Sequence, residues 1–322
     1  MGEFELIRRY FQHKLTPPGV ALGNGDDCAL LAPAPGMRLA VSTDMLVEGR
    51  HFLSTVDPEA LGHKALAVNL SDLAAMGAQP LAFTLALALP RADDTWLAGF
   101  SKGLLALADA HGCALVGGDT TAGPLNICIT VFGQVPEHQA LRRSAAQVGD
   151  DIYVSGTLGD ARLALEVFRG GASLGAANFA AVRQRMERPT PRVALGVALR
   201  GVAHAAADVS DGLLGDLGHI LTASQVGADL DLNAIHNSIA TSSILKSEEG
   251  HFLPDFVLNG GDDYELVFTA PAAARSAVAQ AAASACTPVT RIGTVTPHTG
   301  LTLRGPGGQP ITLASRSFDH FA

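Results

Sequence analysis

Short apolar runs alternate along this chain with longer segments of helical periodicity. In the first half, such runs predict strands at residues 38–43, 81–89, 113–118 and 126–135. Two segments between them predict helices at 58–76 and 93–111. Asp57 can cap the first helix and Gly77 can end it, and Gly112 can end the second.

The same alternation continues in the second half of the chain. It predicts strands at 151–156, 228–232 and 290–295, and helices at 160–168, 191–200 and 213–221. A length of 322 residues suits two domains of ordinary size. We place their boundary between residues 136 and 143, which gives domains 1–137 and 138–322.

Composition and charge exclude several classes of protein. The chain carries 31 acidic and 22 basic residues without a basic run, so a nucleic-acid or anionic-membrane partner is not expected. Its four cysteines form no C-x-x-C pair, which favours a reducing compartment and argues against zinc. The run at 81–89 is too short to span a bilayer, and no signal-peptide pattern is seen at the N-terminus. We therefore expect a cytoplasmic protein.

Aspartates recur beside small residues where the apolar runs end. Asp44, Asp119, Asp208, Asp211, Asp262 and Asp263 belong to this set, whereas Asp26 and Asp27 follow Gly25 just before an apolar run. Side chains at strand ends of α/β domains project into ligand crevices, so we expect several of these carboxylates to converge. Asp72 differs because it lies within the predicted helix, on the same face as Asn69. Two carboxylates about 4 Å apart at a surface repel by roughly 4 kcal/mol, so a cluster requires hard cations such as Mg²⁺, Mn²⁺ or Ca²⁺.

Each aspartate also has a plain structural explanation. Asp211 before Gly212 is a good helix cap, Asp72 could lie on a solvated helix face, and Asp26 with Asp27 could simply form a turn. Serine or glycine recurs beside these aspartates, which favours a site that admits a bulky anion. Because the chain has no Gly-Lys dipeptide and therefore no P-loop, a nucleotide would have its phosphates held through metal ions.

Longer motifs give a resemblance to a known family. They include "GNGDDCALL", "VSTDMLVEGRHF", "KALAVNLSDLAAMGAQP", "GGDTTAGP", "ADVSDGLLGDLGHI", "GGDDYEL" and the terminal "FDHF". With these motifs, almost the whole chain resembles the thiamine-monophosphate kinase family. That family belongs to a superfamily with aminoimidazole ribonucleotide synthetase and selenophosphate synthetase.

The resemblance implies both a fold and a reaction. The fold is α/β (α+β) with two domains: an N-terminal domain whose mixed sheet forms a barrel across a homodimer, and a C-terminal α/β sandwich. The N-terminal domain would bind metal and ATP and would mediate dimerisation. The reaction is the ATP-dependent phosphorylation of thiamine monophosphate to thiamine diphosphate, by direct in-line transfer between phosphates bridged by several Mg²⁺ ions.

The resemblance also implies roles for individual residues. Metal ions would be held by Asp27, Ser42, Thr43, Asp44, Asp72, Asp119, Asp208 and Asp211. ATP would contact Gly118, Asp119, Arg143 and Ser210. The thiamine substrate would contact His51, Asp262 and Phe318. At two of these positions the chain departs from the family pattern: Asp262 stands where glutamate is common, and Phe318 where tryptophan or tyrosine is frequent.

Two other functions remain open from the residues alone. One is a related ATP-dependent synthetase acting on a purine precursor, and the other is a non-catalytic metal or nucleotide sensor. The segments "VEGRHF" and "DHF" favour the kinase. In addition, the N-terminal strands are apolar on both sides, and the helices at 58–76 and 93–111 can cover only one face. We therefore expect a homodimer built on the N-terminal domain.

Overall fold

The structure, a computed structural model, describes residues 2–237, 241–247, 253–305 and 307–311. The chain divides into two compact units. The first unit comprises Met1–Leu73 and Ala78–His138, and the second comprises Ala74–Gly77 and Gln139–Ala322. Both units contain a mixed sheet together with helices, which confirms the two-domain α+β class.

The first unit is built on a four-stranded sheet and a separate two-stranded one. The four-stranded sheet contains β3 (Met37–Val47), β4 (Gln79–Leu89), β5 (Ala114–Ala122) and β6 (Asn126–Pro136), and the two-stranded sheet contains β1 (Val20–Leu22) and β2 (Leu30–Leu31). Its helices are α1 (Glu3–Leu6), α2 (Pro58–Ala75) and α3 (Asp94–His111), and a π-helical turn (Ile7–Phe11) follows α1. The sheet has the order β3-β6-β4-β5, in which only β4 and β5 are parallel, and β1 pairs separately with β2. β3 and β5 are therefore the two edge strands.

The long helices of this unit begin and end where the sequence predicts. Asp57 accepts hydrogen bonds from the amides of Glu59 and Ala60 at 3.0 and 3.1 Å, and Asp93 caps α3 in the same way. Gly112 ends α3 with a φ of 59°. A Cβ atom at Gly103 would lie 1.8 Å from the carbonyl oxygen of Glu59, so α2 and α3 pack with their backbones in close approach.

One face of the four-stranded sheet is covered by α2. The side chain of Leu73 reaches β6 at Gly133, where a Cβ atom would lie 2.9 Å from it. The opposite face carries exposed apolar side chains on β3, because Leu39, Val41 and Met45 are 44%, 55% and 53% exposed. Strand alternation places these three side chains opposite those of Ser42 and Asp44.

The second unit is built on a seven-stranded sheet. Its strands are β7 (Asp150–Ser155), β8 (Ala205–Val209), β9 (Gly227–Asp231), β10 (Glu265–Pro271), β11 (Val289–Thr296), β12 (Gly300–Arg304) and β13 (Pro310–Ile311). Its helices are α4 (Asp160–Phe168), α5 (Ala176–Glu187), α6 (Val193–Ala198), α7 (Leu213–Ser224), α8 (Leu232–Asn237), α9 (Ser243–Ser247), α10 (Leu253–Asn259) and α11 (Arg275–Ser284); short 3₁₀ turns lie at Arg143–Ala145 and Ala272–Ala274. The sheet has the order β13-β12-β9-β11-β7-β10-β8, with only β9 and β12 parallel. Its core is formed mainly by leucine, valine and alanine side chains from the sheet and from α4 and α7.

The expectation that the aspartates follow the strand ends was wrong at three positions. β3 continues to Val47, so Asp44 lies within the strand and pairs with Ile129. Asp119 lies within β5, in register with Ala86, and Asp208 lies within β8. The strands extend further because polar residues can occupy one face of a sheet while main-chain pairing continues. Among the described residues, none of the helices has the length and apolar character needed to cross a membrane.

Candidate active site

In the first unit, two residues of β3 face two residues of α2. The hydroxyl of Ser42 donates a hydrogen bond to Oδ2 of Asp72. The main-chain amide of Asp44 donates to Oδ1 of Asn69 at 3.2 Å. Residues two apart on a strand share a face, as do residues three apart on a helix, so the four side chains form one polar group. Asn69 and Asp72 thus share one helix face, as predicted, and that face is turned toward β3.

The carboxylates of this group repel each other. Burial raises the pKa of Asp44 to about 7, and the negative charge of Asp72 contributes to the same shift. A bound cation would offset both effects, because it favours the ionised carboxylate. The donors are oxygen atoms, which suits a hard ion such as Mg²⁺. Within the described ranges, however, there is no group of three or more histidine, cysteine, aspartate or glutamate side chains that could hold a metal ion.

Thr43 and His51 lie close in sequence to this group but are oriented by other contacts. The hydroxyl of Thr43 lies 2.9 Å from that of Thr130, on the sheet face opposite Ser42 and Asp44. A role for Thr43 in metal binding would therefore have to use its main-chain carbonyl. Nδ1 of His51 accepts a hydrogen bond from the amide of Val47 at 3.0 Å, so the neutral ring carries its proton on Nε2.

Asp27 lies in the loop between β1 and β2. Oδ1 of Asp26 accepts a hydrogen bond from the amide of Asp27 at 3.1 Å, so Asp26 shapes the loop that presents Asp27. The side chain of Asn24 anchors the loop to β5 by donating to the carbonyl oxygen of Leu115 at 3.3 Å. Both aspartates are exposed.

Asp119 is separated from Asp44 by the width of the sheet. It lies on edge strand β5, whereas Asp44 lies on edge strand β3. Three inter-strand spacings amount to on the order of 14 Å, too far for both carboxylates to bind one ion. The neighbouring Gly118 is required by packing, because a Cβ atom there would lie 1.9 Å from the carbonyl oxygen of Leu85.

In the second unit, the predicted residues cluster around the turn that follows β8. Asp208 is buried in the strand, and Ser210 and Asp211 form the turn before α7. The cap position of α7 is Gly212, with no side-chain cap, so capping does not explain Asp211. The amide of Asp262 donates to the carbonyl oxygen of Ser210 at 2.8 Å, which brings the loop of Asp262 against this turn.

Sequence reasoning missed Asp216, which organises that turn. Its Oδ2 accepts hydrogen bonds from the amides of Ser210, Asp211 and Gly212 at 3.0, 3.0 and 3.1 Å. Burial raises the pKa of Asp216 to about 6, although the three amides act in the opposite direction. A sequence signal did exist, since this aspartate lies on the apolar side of a helix directly after the Ser-Asp-Gly turn.

Two predicted residues remain, Arg143 and Phe318. Arg143 is exposed, and its carbonyl oxygen accepts a hydrogen bond from the hydroxyl of Ser224, the last residue of α7, at 2.7 Å. Phe318 lies outside the described residues. The structure thus brings Ser42 and Asp44 to Asp72 in one unit, and Ser210 to Asp262 in the other.

Comparisons with known proteins identify family models and relatives that match this chain. The family models "AIR synthase related protein", N-terminal and C-terminal domains, match residues 25–135 and 147–305. The thiamine-monophosphate kinase of Haemophilus influenzae is 45% identical over 327 aligned positions, covering 100% of this chain and 98% of that protein.

Solved structures with a similar fold agree with the sequence comparisons. A thiamine-monophosphate kinase from Stenotrophomonas maltophilia K279a superposes with a TM-score of 0.86 at 47% identity, covering 97% of this chain and 98% of the other. The structure described as "AaThiL complexed with AMPPCP and TMP" superposes with a TM-score of 0.78 at 29% identity, covering 90% of this chain and 89% of the other.

Proposed function

Because the chain belongs to the thiamine-monophosphate kinase family, we propose that it phosphorylates thiamine monophosphate with ATP to give thiamine diphosphate and ADP. The observation that carries the proposal is the match over the full length of kinases of that name. The relative that holds both AMPPCP and TMP supports the identity of the two substrates.

The proposed reaction needs little covalent help from side chains. An oxygen of the acceptor phosphate attacks the γ-phosphorus of ATP, the bond from that phosphorus to the β,γ-bridging oxygen breaks, and ADP leaves. The main obstacle is repulsion between two polyanions, so positioning and charge neutralisation supply most of the rate. Bound Mg²⁺ ions would supply that neutralisation.

The chain's own residues would divide this work. Asp27, Ser42, Thr43, Asp44, Asp72, Asp119, Asp208 and Asp211 are proposed to hold metal ions, Thr43 through its main chain. Gly118, Asp119, Arg143 and Ser210 are proposed to contact ATP, and His51, Asp262 and Phe318 the thiamine substrate. The hydrogen bond between Ser42 and Asp72 and the raised pKa of Asp44 support the metal assignment in the first unit. Because Asp44 and Asp119 lie on opposite edge strands, they would serve different ions.

We also propose that the working form is a homodimer whose N-terminal sheets form a barrel together. The exposed β3 face, defined by Leu39, Val41 and Met45, is apolar and lies opposite the face that α2 covers. Apolar sheet faces of this kind are usually buried by a partner, and a second copy supplies an identical surface.

An acceptor assay tests the proposed function. Purified protein is incubated with ATP and Mg²⁺, alone or with thiamine monophosphate or a phosphorylated purine precursor, and ADP is measured. We expect ADP only with thiamine monophosphate. ADP only with the purine precursor would favour the related synthetase, which full-length similarity to kinases does not favour. Nucleotide binding without turnover in any mixture would favour the sensor.

A further inference from the structure

Three consecutive amide groups converge on one side chain at the start of α7. The donors are the amides of Ser210, Asp211 and Gly212, and the acceptor is Oδ2 of Asp216. Asp216 lies on the first turn of α7 and is only 3% exposed. A single buried oxygen atom thus accepts all three hydrogen bonds of the turn.

Converging amides at the start of a helix normally form a binding place for an external anion such as phosphate. Here the chain's own carboxylate occupies that place. An ATP phosphate therefore cannot use these amides, which agrees with phosphates held through metal ions. Hydrogen bonds to a charged acceptor are also stronger than neutral ones, so the carboxylate fixes the backbone that carries Ser210 and Asp211.

The same turn is held on its other side by the loop at residues 260–264, between α10 and β10. The amide of Asp262 donates to the carbonyl oxygen of Ser210 at 2.8 Å, and that of Tyr264 donates to Val209 at 2.9 Å. Space between the two segments is minimal, because a Cβ atom at Gly261 would lie 2.3 Å from the carbonyl oxygen of Ser210. The turn thus lies between the carboxylate of Asp216 and the loop that carries Asp262.

We propose that Asp216 is a positioning residue for both substrates. It would set the direction of Ser210 and Asp211 toward ATP and metal and, through the hydrogen bond from Asp262 to Ser210, the place of the thiamine-contacting loop. This inference rests on the kinase function proposed above. It assigns the residue no contact with either substrate.

The central test is the variant Asp216→Asn, which keeps the side-chain volume but removes the charge. We expect KM for both ATP and thiamine monophosphate to rise roughly tenfold, with a smaller change in kcat, because the turn is less strictly held. Asp216→Ser is the second variant if the asparagine protein does not fold, since its hydroxyl leaves room for a water molecule among the three amides.

Asp150 supplies a matched control in the same unit. It is also 3% exposed and also accepts several hydrogen bonds, from the amide of Gln147 at 2.9 Å and the hydroxyl of Thr269 at 3.1 Å. Neither of these hydrogen bonds of Asp150 involves a proposed site residue. We expect Asp150→Asn to lower Tm while leaving both KM values unchanged. Equal KM changes in the two variants, or none in the Asp216 variants, would overturn the positioning role.

Hydrogen exchange separates this inference from the proposed function. The amides of residues 210–212 should exchange at least tenfold faster in Asp216→Asn than in the wild type, with no such change in Asp150→Asn. This measurement needs no turnover. Unchanged exchange would overturn the role of Asp216, whereas a wild-type protein that fails to phosphorylate thiamine monophosphate would overturn the proposed function instead.

Discussion

The hydroxyl of Ser42 on β3 donates a hydrogen bond to the carboxylate of Asp72 on α2. The helix that covers the sheet therefore also contributes an acidic side chain to the polar group around Asp44. Because Asp72 is a helical residue surrounded by buried leucines, its position is fixed by core packing. The same contacts that stabilise the first unit thus hold two mutually repelling carboxylates close together.

The first prediction concerns these carboxylates. Asp44→Asn and Asp72→Asn should each lower kcat/KM by roughly a hundredfold or more, because phosphate charge is then left uncompensated. Circular dichroism and Tm should show an intact fold, since each substitution removes a repulsive charge. Asp93→Asn, which alters the cap of α3 and an ion pair with Arg91 outside the proposed site, is the control and should remain active. Near-normal activity of both site variants at saturating Mg²⁺ would contradict the metal assignment.

The second prediction concerns pH and the metal-free protein. The pKa of Asp44 is raised to about 7 by burial and by Asp72, from 3.8 as its ordinary value. Between these two values the folded protein keeps a proton that the unfolded chain has released, so stability should fall as pH rises across this window. In EDTA, Tm should therefore decrease more between pH 5 and pH 8 for the wild type than for Asp44→Asn. Parallel curves for the two proteins would refute the shifted pKa.

Much of the local structure could be predicted from the sequence because it depends on local chemistry. The cap at Asp57, the end of α3 at Gly112 and the shared face of Asn69 and Asp72 follow from short-range rules. Strand order could not be predicted, because pairing of β3 with β6 joins residues about ninety positions apart through main-chain groups that every residue carries.

The site was predictable only in part for the same reason. A sequence pattern indicates acidic residues beside small ones, but it does not say which strand face each one occupies. The family resemblance groups Thr43 with Ser42 and Asp44 as a metal ligand, and only the structure shows that its hydroxyl lies on the opposite face. Asp216 was missed because its partners are main-chain amides: its position after the Ser-Asp-Gly turn is visible in the sequence, but the three amides that it accepts from are not.

The third prediction concerns a buried ion network in the second unit. Glu265 is fully buried and accepts hydrogen bonds from Ser155, Arg185 and Arg192 at 2.6, 2.8 and 2.7 Å. Glu265→Gln should reduce the free energy of unfolding by about 3 kcal/mol, because two largely buried guanidinium groups lose their counter-charge. Urea denaturation measures this change.

A more exposed pair in the same unit is the control for that measurement. Asp229 pairs with Arg304 with side chains 32% and 45% exposed, so Asp229→Asn should cost less than about 1 kcal/mol. Equal losses of stability in the two variants would show that burial does not set the strength of the Glu265 network.

The fourth prediction concerns assembly. Sedimentation at low micromolar concentration should give twice the mass of the 33.2 kDa chain. Val41→Glu should shift the protein toward monomer, because it places a charge on the apolar β3 face. Val148→Glu is the matched control, since Val148 is also 55% exposed but lies in the second unit. A folded wild-type monomer, or equal effects of both substitutions, would argue against the dimer.

The most direct test of the kinase account follows the transferred phosphoryl group itself. Protein is mixed with ATP labelled at the γ-phosphate, Mg²⁺ and thiamine monophosphate, and label is counted in thiamine diphosphate and on the protein through a single turnover. Direct transfer predicts that label appears in thiamine diphosphate as fast as ADP forms and that none is trapped on the chain. Asp44→Asn should slow the transfer by roughly a hundredfold or more. Label that first accumulates on the protein and then passes to thiamine monophosphate would contradict direct transfer, and ADP formation without labelled thiamine diphosphate would contradict the kinase function.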